Sequence, residues 1–341
     1  MANLRTNKLV GIGSTDAGVV FNGEIKFNSL NTMYFPTGIS SERGRGRGLF
    51  ATGASPSASN VVEYVEIQST GIALDFGDLS HTVEGSNGSC ASATRALFAG
   101  GYNSGNINTI EYFNISTTSN STDFGDMTVI RRGLSGCGND TRGLFVGGRA
   151  DPGANPTDVI DYVTIATTGN ATDFGNLSLA RRYLAATSNT TRGLSAGGYD
   201  SSPGDQSDVI DYVTIASTGN ATDFGNLTTA RDQVEGNASS TRGVFGGGAN
   251  SPTVYNIIDY VTIASTGNAT DFGDLINTKA DSQSASNSLR GVWAGGATPT
   301  KINTISYVDI ASTGDAIRFG ELTVTGTEGS GCSDSHGGLS E

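Results

Sequence analysis

The chain is poor in the residues that build most catalytic and metal centres. Its 341 residues include three cysteines, two histidines and one tryptophan, and only 16% are charged. Three cysteines are too few for a disulfide scaffold. The histidines, His81 and His336, lie in unlike contexts without metal-ligand spacing, and no Ser-His-Asp order or nucleophile elbow is present. We therefore expect no enzymatic activity, no cofactor and no bound metal.

Long apolar runs and a basic surface are also missing. No run approaches the roughly 20 residues that span a bilayer, and the first residues lack the apolar core of a secretory signal. We expect no membrane insertion. The net charge is −13 and the isoelectric point about 4.5, whereas nucleic-acid-binding domains usually lie above roughly 9. The basic stretch Arg43, Arg45 and Arg47 is local, so nucleic acid is not an expected partner.

Small and turn-forming residues are abundant in this chain, in place of charged residues. There are 49 glycines, with abundant Ser, Thr and Asn and scattered Val, Ile, Tyr and Phe. This composition is typical of β-strands joined by many turns. No stretch has the 3.6-residue apolar period of an amphipathic helix, so the sequence predicts an all-β fold.

A repeat of about fifty residues runs through the chain. A Phe-Gly pair recurs at intervals of 47–50 residues, at Phe76, Phe124, Phe174, Phe224, Phe272 and Phe319. Each repeat holds four extended segments. Segment a is rich in small residues, b runs from an arginine to Gly-Gly, c is a Tyr-centred stretch such as IDYVTIA, and d contains the Phe-Gly pair. Four strands per repeat of this length are the signature of a propeller blade.

The repeat predicts a six-bladed β-propeller of four-stranded antiparallel blades over residues 31–341. The small side chains of segment a suit the crowded innermost strand. Residues 325–335 resemble another segment a after the sixth segment d, so we expect this C-terminal strand to complete the first blade and close the ring. Residues 1–30 do not fit the repeat, and an Asn22-Gly23 turn within them predicts a short β arm, which is either a docking element or a strand packed on the rim of the propeller itself.

The repeated residues resemble kelch-type propellers. The resemblance lies in Gly-Gly after an apolar strand, an acidic-Tyr strand and an aromatic residue on the fourth strand, and it covers roughly residues 31–341. Kelch repeats usually carry Trp where this chain has the six phenylalanines. The copper site of the kelch-like propeller oxidase needs Tyr and His ligands, and this chain lacks the histidines to build it.

A second resemblance lies in the amino-acid sequence of the chain ends and of the repeat. MANLRTNKL, the repeated IDYVTIASTGNATDFGDL-like phrase and CSDSHGGL are similar to virion and tail-fibre proteins of tailed bacteriophages, particularly marine and cyanobacterial ones. The resemblance implies a structural protein of the virion tail or capsid surface, made in the bacterial cytoplasm and present in many copies in a symmetric particle. Expected partners are other virion proteins, through residues 1–30, and a host receptor or glycan. Alternatives are a capsid decoration protein, a carbohydrate-active or oxidising propeller enzyme, and a cellular kelch-like adaptor.

Repeated charges are interpreted as structural, because a single ligand site rarely needs six copies. One expected role is an Arg–carboxylate pair within each blade. Arginines begin the segments b at Arg47, Arg95, Arg142, Arg192, Arg242 and Arg290. Acidic residues precede the Phe of segment d at Asp75, Asp123, Asp173, Asp223 and Asp271. A second acidic series lies in segment c at Glu63, Glu111, Asp161, Asp211 and Asp259.

The three cysteines share one phase of the repeat. Cys90, Cys137 and Cys332 fall in segments a of neighbouring blades, which allows either a three-thiolate metal site or simple packing of a small side chain. The matching positions in the other repeats hold Thr187, Asn237 and Ala285, which favours packing.

Sequence variety is concentrated between segments b and c. These b–c loops span 54–60, 102–108, 149–158, 199–208, 249–256 and 297–303. Variable loops on a rigid scaffold commonly carry binding residues, although drift of exposed loops gives the same variety. If the loops bind, the expected contact residues are Tyr102, Arg149, Tyr199 and Tyr255.

Overall fold

The structure is a computed structural model and describes residues 46–54, 57–84, 87–152, 155–200 and 206–340. Within these ranges the chain forms strands, bridges and turns and no helix. The part of the chain that is described therefore includes no helix suited to spanning a membrane. The predicted N-terminal arm, residues 1–30, lies outside the described residues.

Twenty-nine strands are found in the described ranges. The first fifteen are β1 (Arg47–Ala51), β2 (Ser59–Glu66), β3 (Leu74–Val83), β4 (Gly88–Ala91), β5 (Arg95–Ala99), β6 (Thr109–Asn114), β7 (Thr122–Asp126), β8 (Arg131–Arg132), β9 (Ser135–Gly138), β10 (Arg142–Val146), β11 (Arg149–Ala150), β12 (Asn155–Pro156), β13 (Val159–Thr164), β14 (Thr172–Asn176) and β15 (Ala185–Ser188). The others are β16 (Arg192–Ala196), β17 (Val209–Thr214), β18 (Thr222–Asn226), β19 (Glu235–Ala238), β20 (Arg242–Gly246), β21 (Ala249–Asn250), β22 (Thr253–Val254), β23 (Ile257–Thr262), β24 (Thr270–Asp274), β25 (Gln283–Ser286), β26 (Arg290–Ala294), β27 (Thr304–Asp309), β28 (Ile317–Glu321) and β29 (Ser330–Ser333).

Six four-stranded antiparallel sheets contain most of these strands, so the architecture is all-β and propeller-like, as predicted. In order of segments a, b, c and d, sheet I is β29-β1-β2-β3, sheet II is β4-β5-β6-β7, sheet III is β9-β10-β13-β14, sheet IV is β15-β16-β17-β18, sheet V is β19-β20-β23-β24 and sheet VI is β25-β26-β27-β28. The strands β8, β11, β12, β21 and β22 form small additional pairs at the b–c loops.

The first sheet takes its strand a from the other end of the chain. Strand β29 pairs antiparallel with β1, with Leu49 opposite Cys332. The chain therefore joins its C-terminal segment to the first described strand, as the match of 325–335 to segment a predicts.

Hydrophobic clusters lie between the sheets. Each cluster combines one sheet with the next along the chain; Phe224 of sheet IV, for example, packs with Ile263 of sheet V. A further cluster joins Phe319 of sheet VI to Phe50 of sheet I. All six phenylalanines of the Phe-Gly pairs are only 2–3% exposed. Each meets the tyrosine of its own segment c edge to face, with ring centroids 5.7–6.0 Å apart, a favourable geometry for aromatic pairs.

The backbone geometry of strand d explains why the Phe-Gly pair recurs. In sheet IV, Ile210 lies opposite Gly225 and Asp211 opposite Asp223, so Phe224 is the extra residue of a β-bulge. Gly225 has φ +148°, and a Cβ atom there would lie 2.4 Å from the carbonyl oxygen of Gly267. Glycine is needed because the c–d turn of the next sheet packs directly onto this backbone.

The c–d turn of sheet IV packs on sheet III in the same way, and its asparagine bonds to the backbone of that sheet. Gly219 N donates to Phe174 O at 2.8 Å, and Asn220 Oδ1 accepts from Asn176 N at 3.1 Å. Asn120, Asn170 and Asn268 accept in the same way, and Asp315 does so in the last repeat. The repeated asparagines therefore link neighbouring sheets.

Replacing Asn220 by Ala should lower the free energy of unfolding by about 1 kcal/mol, because Asn176 N loses its acceptor. Asn220→Asp keeps an acceptor, as Asp315 does naturally, and should stay near the wild-type value. Urea unfolding of both variants measures the difference. Equal losses in the two variants would contradict the clamp.

Candidate functional site

The arginines that begin the strands b connect neighbouring sheets. Arg192 Nη1 donates to Ile263 O of the next sheet at 2.8 Å, and its guanidinium carbon lies 4.6 Å from the ring centroid of Tyr212. Both contacts recur for Arg47, Arg95, Arg142, Arg242 and Arg290. Arg47 also pairs with Glu66 of its own sheet at 2.9 Å and Arg290 with Asp309 at 3.6 Å, and neither carboxylate belongs to the two repeated acidic series.

Three of the segment c carboxylates pair with a different arginine series, which sequence analysis missed. The ion pairs are Arg131–Asp161 at 3.0 Å, Arg181–Asp211 at 2.7 Å and Arg231–Asp259 at 2.9 Å. Their side chains are at most 1% exposed. Burial lowers the pKa of Arg131 to about 10, so it stays protonated at neutral pH. The sequence feature that could have revealed this arginine series is a basic residue seven positions after the Phe of the Phe-Gly pair.

The remaining carboxylates of the two series have other surroundings. Glu111 accepts from Ser80 N at 3.0 Å and Glu63 from Thr323 N at 2.8 Å; burial is the largest cause of the raised pKa of Glu63. The carboxylates before the Phe of segment d are exposed on the strands d, at Asp75, Asp123, Asp173, Asp223 and Asp271. They contribute no enclosed ligand site.

The four predicted binding residues lie on different b–c loops and are half-buried. The guanidinium of Arg132 lies 4.5 Å from the Tyr102 ring centroid, and that of Arg182 lies 4.4 Å from the Tyr199 ring centroid. Arg149 belongs to strand β11 and lies opposite Pro156, and Tyr255 N donates to Gly248 O at 2.9 Å. Each residue therefore sits at its own sheet and has contacts within the loop region.

The three cysteines are buried and unpaired. A Cβ atom on Gly143 of sheet III would lie 2.4 Å from Cys90 Sγ, and one on Gly193 of sheet IV would lie 3.0 Å from Cys137 Sγ. The thiols thus fill the space beside a glycine of the next sheet. Burial raises the pKa of Cys137 to about 12. In the described part of the chain, no group of three or more His, Cys, Asp or Glu residues is arranged to hold a metal ion.

A central cavity, which sequence analysis did not predict, lies between the strands a of all six sheets. It contains about 730 Å³ of empty space, part of which is open to solvent. Its wall is polar, because serine hydroxyls of strands a bond to neighbouring strands: Ser286 Oγ donates to Ala238 O at 3.1 Å and Ser89 Oγ to Gly331 O at 2.8 Å. One residue of each sheet at the same repeat position lines it, namely Cys90, Cys137, Thr187, Asn237, Ala285 and Cys332.

Residues with a left-handed backbone conformation precede the strands a at one end of this cavity, and we call them the collar. Its described members are Gly133, Tyr183, Gln233, Asp281 and Glu328, with φ between +53° and +64°. Successive members are joined by backbone hydrogen bonds: Tyr183 N donates to Gly133 O at 2.7 Å, Gln233 N to Tyr183 O at 2.7 Å and Glu328 N to Asp281 O at 3.2 Å. Left-handed backbone costs roughly 1–2 kcal/mol for a residue with a Cβ atom, so the four such residues among the described collar members concentrate strain at this end.

The collar lies beside the b–c loops. The residue before each described collar member forms an antiparallel bridge with a b–c loop; Arg182 pairs with Tyr199, Asp232 with Ala249 and Ala280 with Ala297. The variable loops and this end of the cavity therefore form one face of the protein, which we call the mouth.

Carboxylates gather at the mouth. Asp281 Oδ2 accepts from Gln233 Nε2 at 2.6 Å and Glu235 Oε2 from Ser284 Oγ at 3.0 Å. Burial raises the pKa of Asp281 and of Glu235 to about 8, and that of Asp232 to about 6. Glu235 lines the cavity and is half-buried, and desolvation is the largest cause of its raised pKa.

The C-terminal tail crosses the opposite end of the cavity. His336 Nε2 donates to Ala91 O of sheet II at 2.8 Å, since its Nδ1 accepts from Gly338 N. Gly337 N donates to Ala238 O of sheet V at 3.1 Å, and Ser340 N to Asp140 at 3.1 Å beside sheet III. Residues 334–340 therefore connect strands from several sheets at the end remote from the mouth.

Comparison with known proteins adds no functional assignment. No protein-family model matches the chain, and no curated protein is significantly similar to it. The geometry of the mouth and the sequence resemblances are the grounds on which a function can be argued.

Proposed function

We propose that the chain is a non-catalytic interaction protein of a phage particle, in which a closed six-bladed β-propeller presents the mouth to a partner protein or host surface. A tail fibre, spike or tail-associated component fits this description. The single observation that carries the proposal is that the described parts of the variable b–c loops lie beside one end of a polar cavity that the C-terminal tail crosses at its other end.

Three observations support a closed propeller. Strand β29 pairs with β1, which joins the two ends of the described chain. Hydrophobic clusters connect successive sheets, and one connects sheet VI with sheet I. One cavity is lined by the strands a of all six sheets. Six blades are the economical arrangement that satisfies all three.

A binding role is supported by how the repeated polar residues are used. Arg181 and Asp211 pair with each other, Arg192 bonds to the next sheet, and Asn220 clamps the previous one. The arginine and asparagine contacts recur because they hold neighbouring sheets together, and the buried ion pair recurs in three of the six sheets. The residues that vary between repeats lie at the mouth, where a rigid scaffold commonly carries recognition.

The proposal that the protein belongs to a phage particle rests on the sequence resemblance of the chain ends and of the repeat to phage virion proteins. Residues 1–30 stand outside the repeat and are the proposed attachment segment, while the mouth is the proposed recognition face. This division assigns attachment and recognition to separate parts of the chain, so each can be removed without the other.

Two variants test this division. Deleting residues 1–30 should leave a folded chain that no longer incorporates into particles, as measured by mass spectrometry of purified virions. Replacing loop 199–208 by loop 102–108 should leave incorporation intact and reduce adsorption to host cells or partner capture. Normal incorporation of the deletion variant together with failed assembly of the loop variant would show that the mouth is the attachment surface.

A further inference from the structure

We propose that the junction of sheets V and VI binds a small monovalent anion such as chloride, held by Lys279 Nζ, Ser306 Oγ and the backbone N–H of Ile276. The inference goes beyond the proposed function and does not depend on it. It concerns how one sheet junction is completed, whereas the proposed function concerns what the mouth recognises.

Five of the six sheets place a carboxylate at one position of strand c, where it accepts a backbone N–H from the connection that follows strand d of the preceding sheet. The donor is in each case the fourth residue after the Phe of the Phe-Gly pair. The five contacts, with N···O distances of 2.8–3.3 Å, are Ser80–Glu111, Thr128–Asp161, Ser178–Asp211, Thr228–Asp259 and Thr323–Glu63. This recurrence indicates that the N–H group needs an acceptor on the next sheet.

Sheet VI lacks that carboxylate. Ser306 occupies the position on strand β27, opposite Trp293, as Asp259 lies opposite Phe245 in sheet V. Ser306 is fully buried, and its Oγ has no hydrogen-bond partner in the described part of the chain. Ile276 stands where the other junctions have the donating residue, and its backbone N–H donates to no atom of the described residues. Two donors therefore remain unused where the other sheets have a carboxylate, and buried donors without an acceptor are costly.

A buried cation accompanies these two donors. Lys279 is 0% exposed and takes the repeat position at which Arg131, Arg181 and Arg231 pair with aspartates. Among the described residues it forms no ion pair, and the one hydrogen bond of Nζ is to Thr304 O at 3.5 Å, which is long for such a bond. An ammonium group offers three donors, and buried charges are normally paired. An anion from outside the chain supplies the missing countercharge.

Lys279 reaches the part of strand β27 that carries Ser306. In sheet IV, Arg181 donates to a backbone carbonyl of strand β17 and to Asp211, two residues further along that strand. The contact of Lys279 with Thr304 O repeats the first of these bonds, and Ser306 stands in the place of the aspartate. Residues two apart on a strand lie on the same face. The ammonium, the hydroxyl and the free N–H therefore converge on the place of the missing carboxylate.

The charge and number of these donors select a small monovalent anion. Burial lowers the pKa of Lys279 to about 8, so the side chain is largely charged at neutral pH. One negative charge neutralises it, whereas a phosphate or sulfate brings more oxygens than the three groups can satisfy. Lysine and serine are together smaller than the arginine and aspartate of the matching junctions, so the absent atoms set the size of the ligand at that of a halide or a carboxylate group. Ile276 is 39% exposed, which places the site close to the protein surface.

Thermal unfolding of the full chain in matched sodium salts tests the site at about pH 7, where Lys279 is charged. Replacing about 0.2 M sodium gluconate, whose anion is too large for the site, by the same concentration of sodium chloride should raise the melting temperature by about 2 °C. Lys279→Met and Ser306→Asp should each lose this difference, because the first removes the cation and the second restores the carboxylate. Arg318→Gln should retain it, since Arg318 is a 63% exposed cation on the neighbouring strand β28 and pairs with Glu321.

Broadening of the chloride NMR signal by the native chain gives a second measurement that does not depend on unfolding. It should be reversed by sodium formate and be absent with Ser306→Asp, which keeps the fold by supplying the carboxylate that the other sheets have. A larger rise in melting temperature with formate than with chloride identifies a carboxylate as the preferred anion, and the reverse order identifies a halide.

Equal melting temperatures in chloride, formate and gluconate would overturn the proposal and assign water to these donors. A chloride effect that both Lys279→Met and Ser306→Asp retain would overturn it as well, because the ion would then bind elsewhere. Neither outcome affects the particle test, since that test measures incorporation and adsorption rather than occupancy of a sheet junction.

Discussion

Deletion of residues 330–341 is expected to abolish cooperative folding of the chain. The deletion removes strand β29, the partner of β1, and every side chain of β1 is buried in the intact protein. It also removes Cys332, which packs with Leu49 and Phe98 between sheets I and II. An exposed apolar strand edge promotes association with other chains. Circular dichroism melting and size-exclusion chromatography should therefore show aggregates without a sharp unfolding transition.

A shorter deletion is the matched control. Removing only residues 335–341 keeps β29 and the hydrogen bond from Arg47 N to Asp334 at 2.8 Å, while it removes the tail with His336. This variant should fold with a reduced melting temperature. A monomeric 330–341 deletion with the wild-type melting temperature would show that β1 does not depend on its C-terminal partner.

Replacement of Arg181 by Ala should cost about 3–5 kcal/mol of unfolding free energy. Arg181 and Asp211 are at most 1% exposed, and Arg181 also donates to Gly197 O and Val209 O. The substitution leaves the carboxylate of Asp211 enclosed without a cation and two carbonyl groups without this donor. Chemical denaturation of the purified variant measures the loss.

The chain itself supplies the control for this substitution. At the junction of sheets V and VI the corresponding positions hold Lys279 and Ser306, so the acidic partner is absent. The double variant Arg181→Lys, Asp211→Ser reproduces that arrangement and should recover most of the stability lost in Arg181→Ala. If Arg181→Ala alone costs less than about 1 kcal/mol, the buried pair contributes little beyond a surface ion pair.

The repeated strands could be predicted because each sheet imposes the same demands on its own segment. Strands b and c must be largely apolar on both faces, segment d must place Phe224 inward, and strand a favours small side chains such as Ala185. These demands act over a few residues and recur every 47–50 positions, so they leave a periodic pattern. The same pattern at 325–335 indicated that the C-terminal segment supplies a strand a.

Contacts between distant segments could not be predicted from the same pattern. Arg181 lies in the connection between sheets III and IV, thirty residues before Asp211 on strand β17, and periodicity shows that each recurs without showing which basic series meets which acidic series. In the sequence Asn220 likewise has the character of a turn residue only. Its hydrogen bond to Asn176 joins two repeats, so a pattern within one repeat does not show it. Pairing across a junction depends on how the sheets are stacked.

By itself the sequence determined an all-β chain of four-stranded units with buried phenylalanines and variable b–c loops. The tertiary structure alone decided the collar and the cavity. The collar position holds glycine at Gly133 and larger residues at Tyr183, Gln233, Asp281 and Glu328, so it leaves no residue-type pattern. These side chains meet because the strands a converge, and their enclosure raises the carboxyl pKa values. Convergence of distant segments is a property of the packed sheets, and no single repeat encodes it.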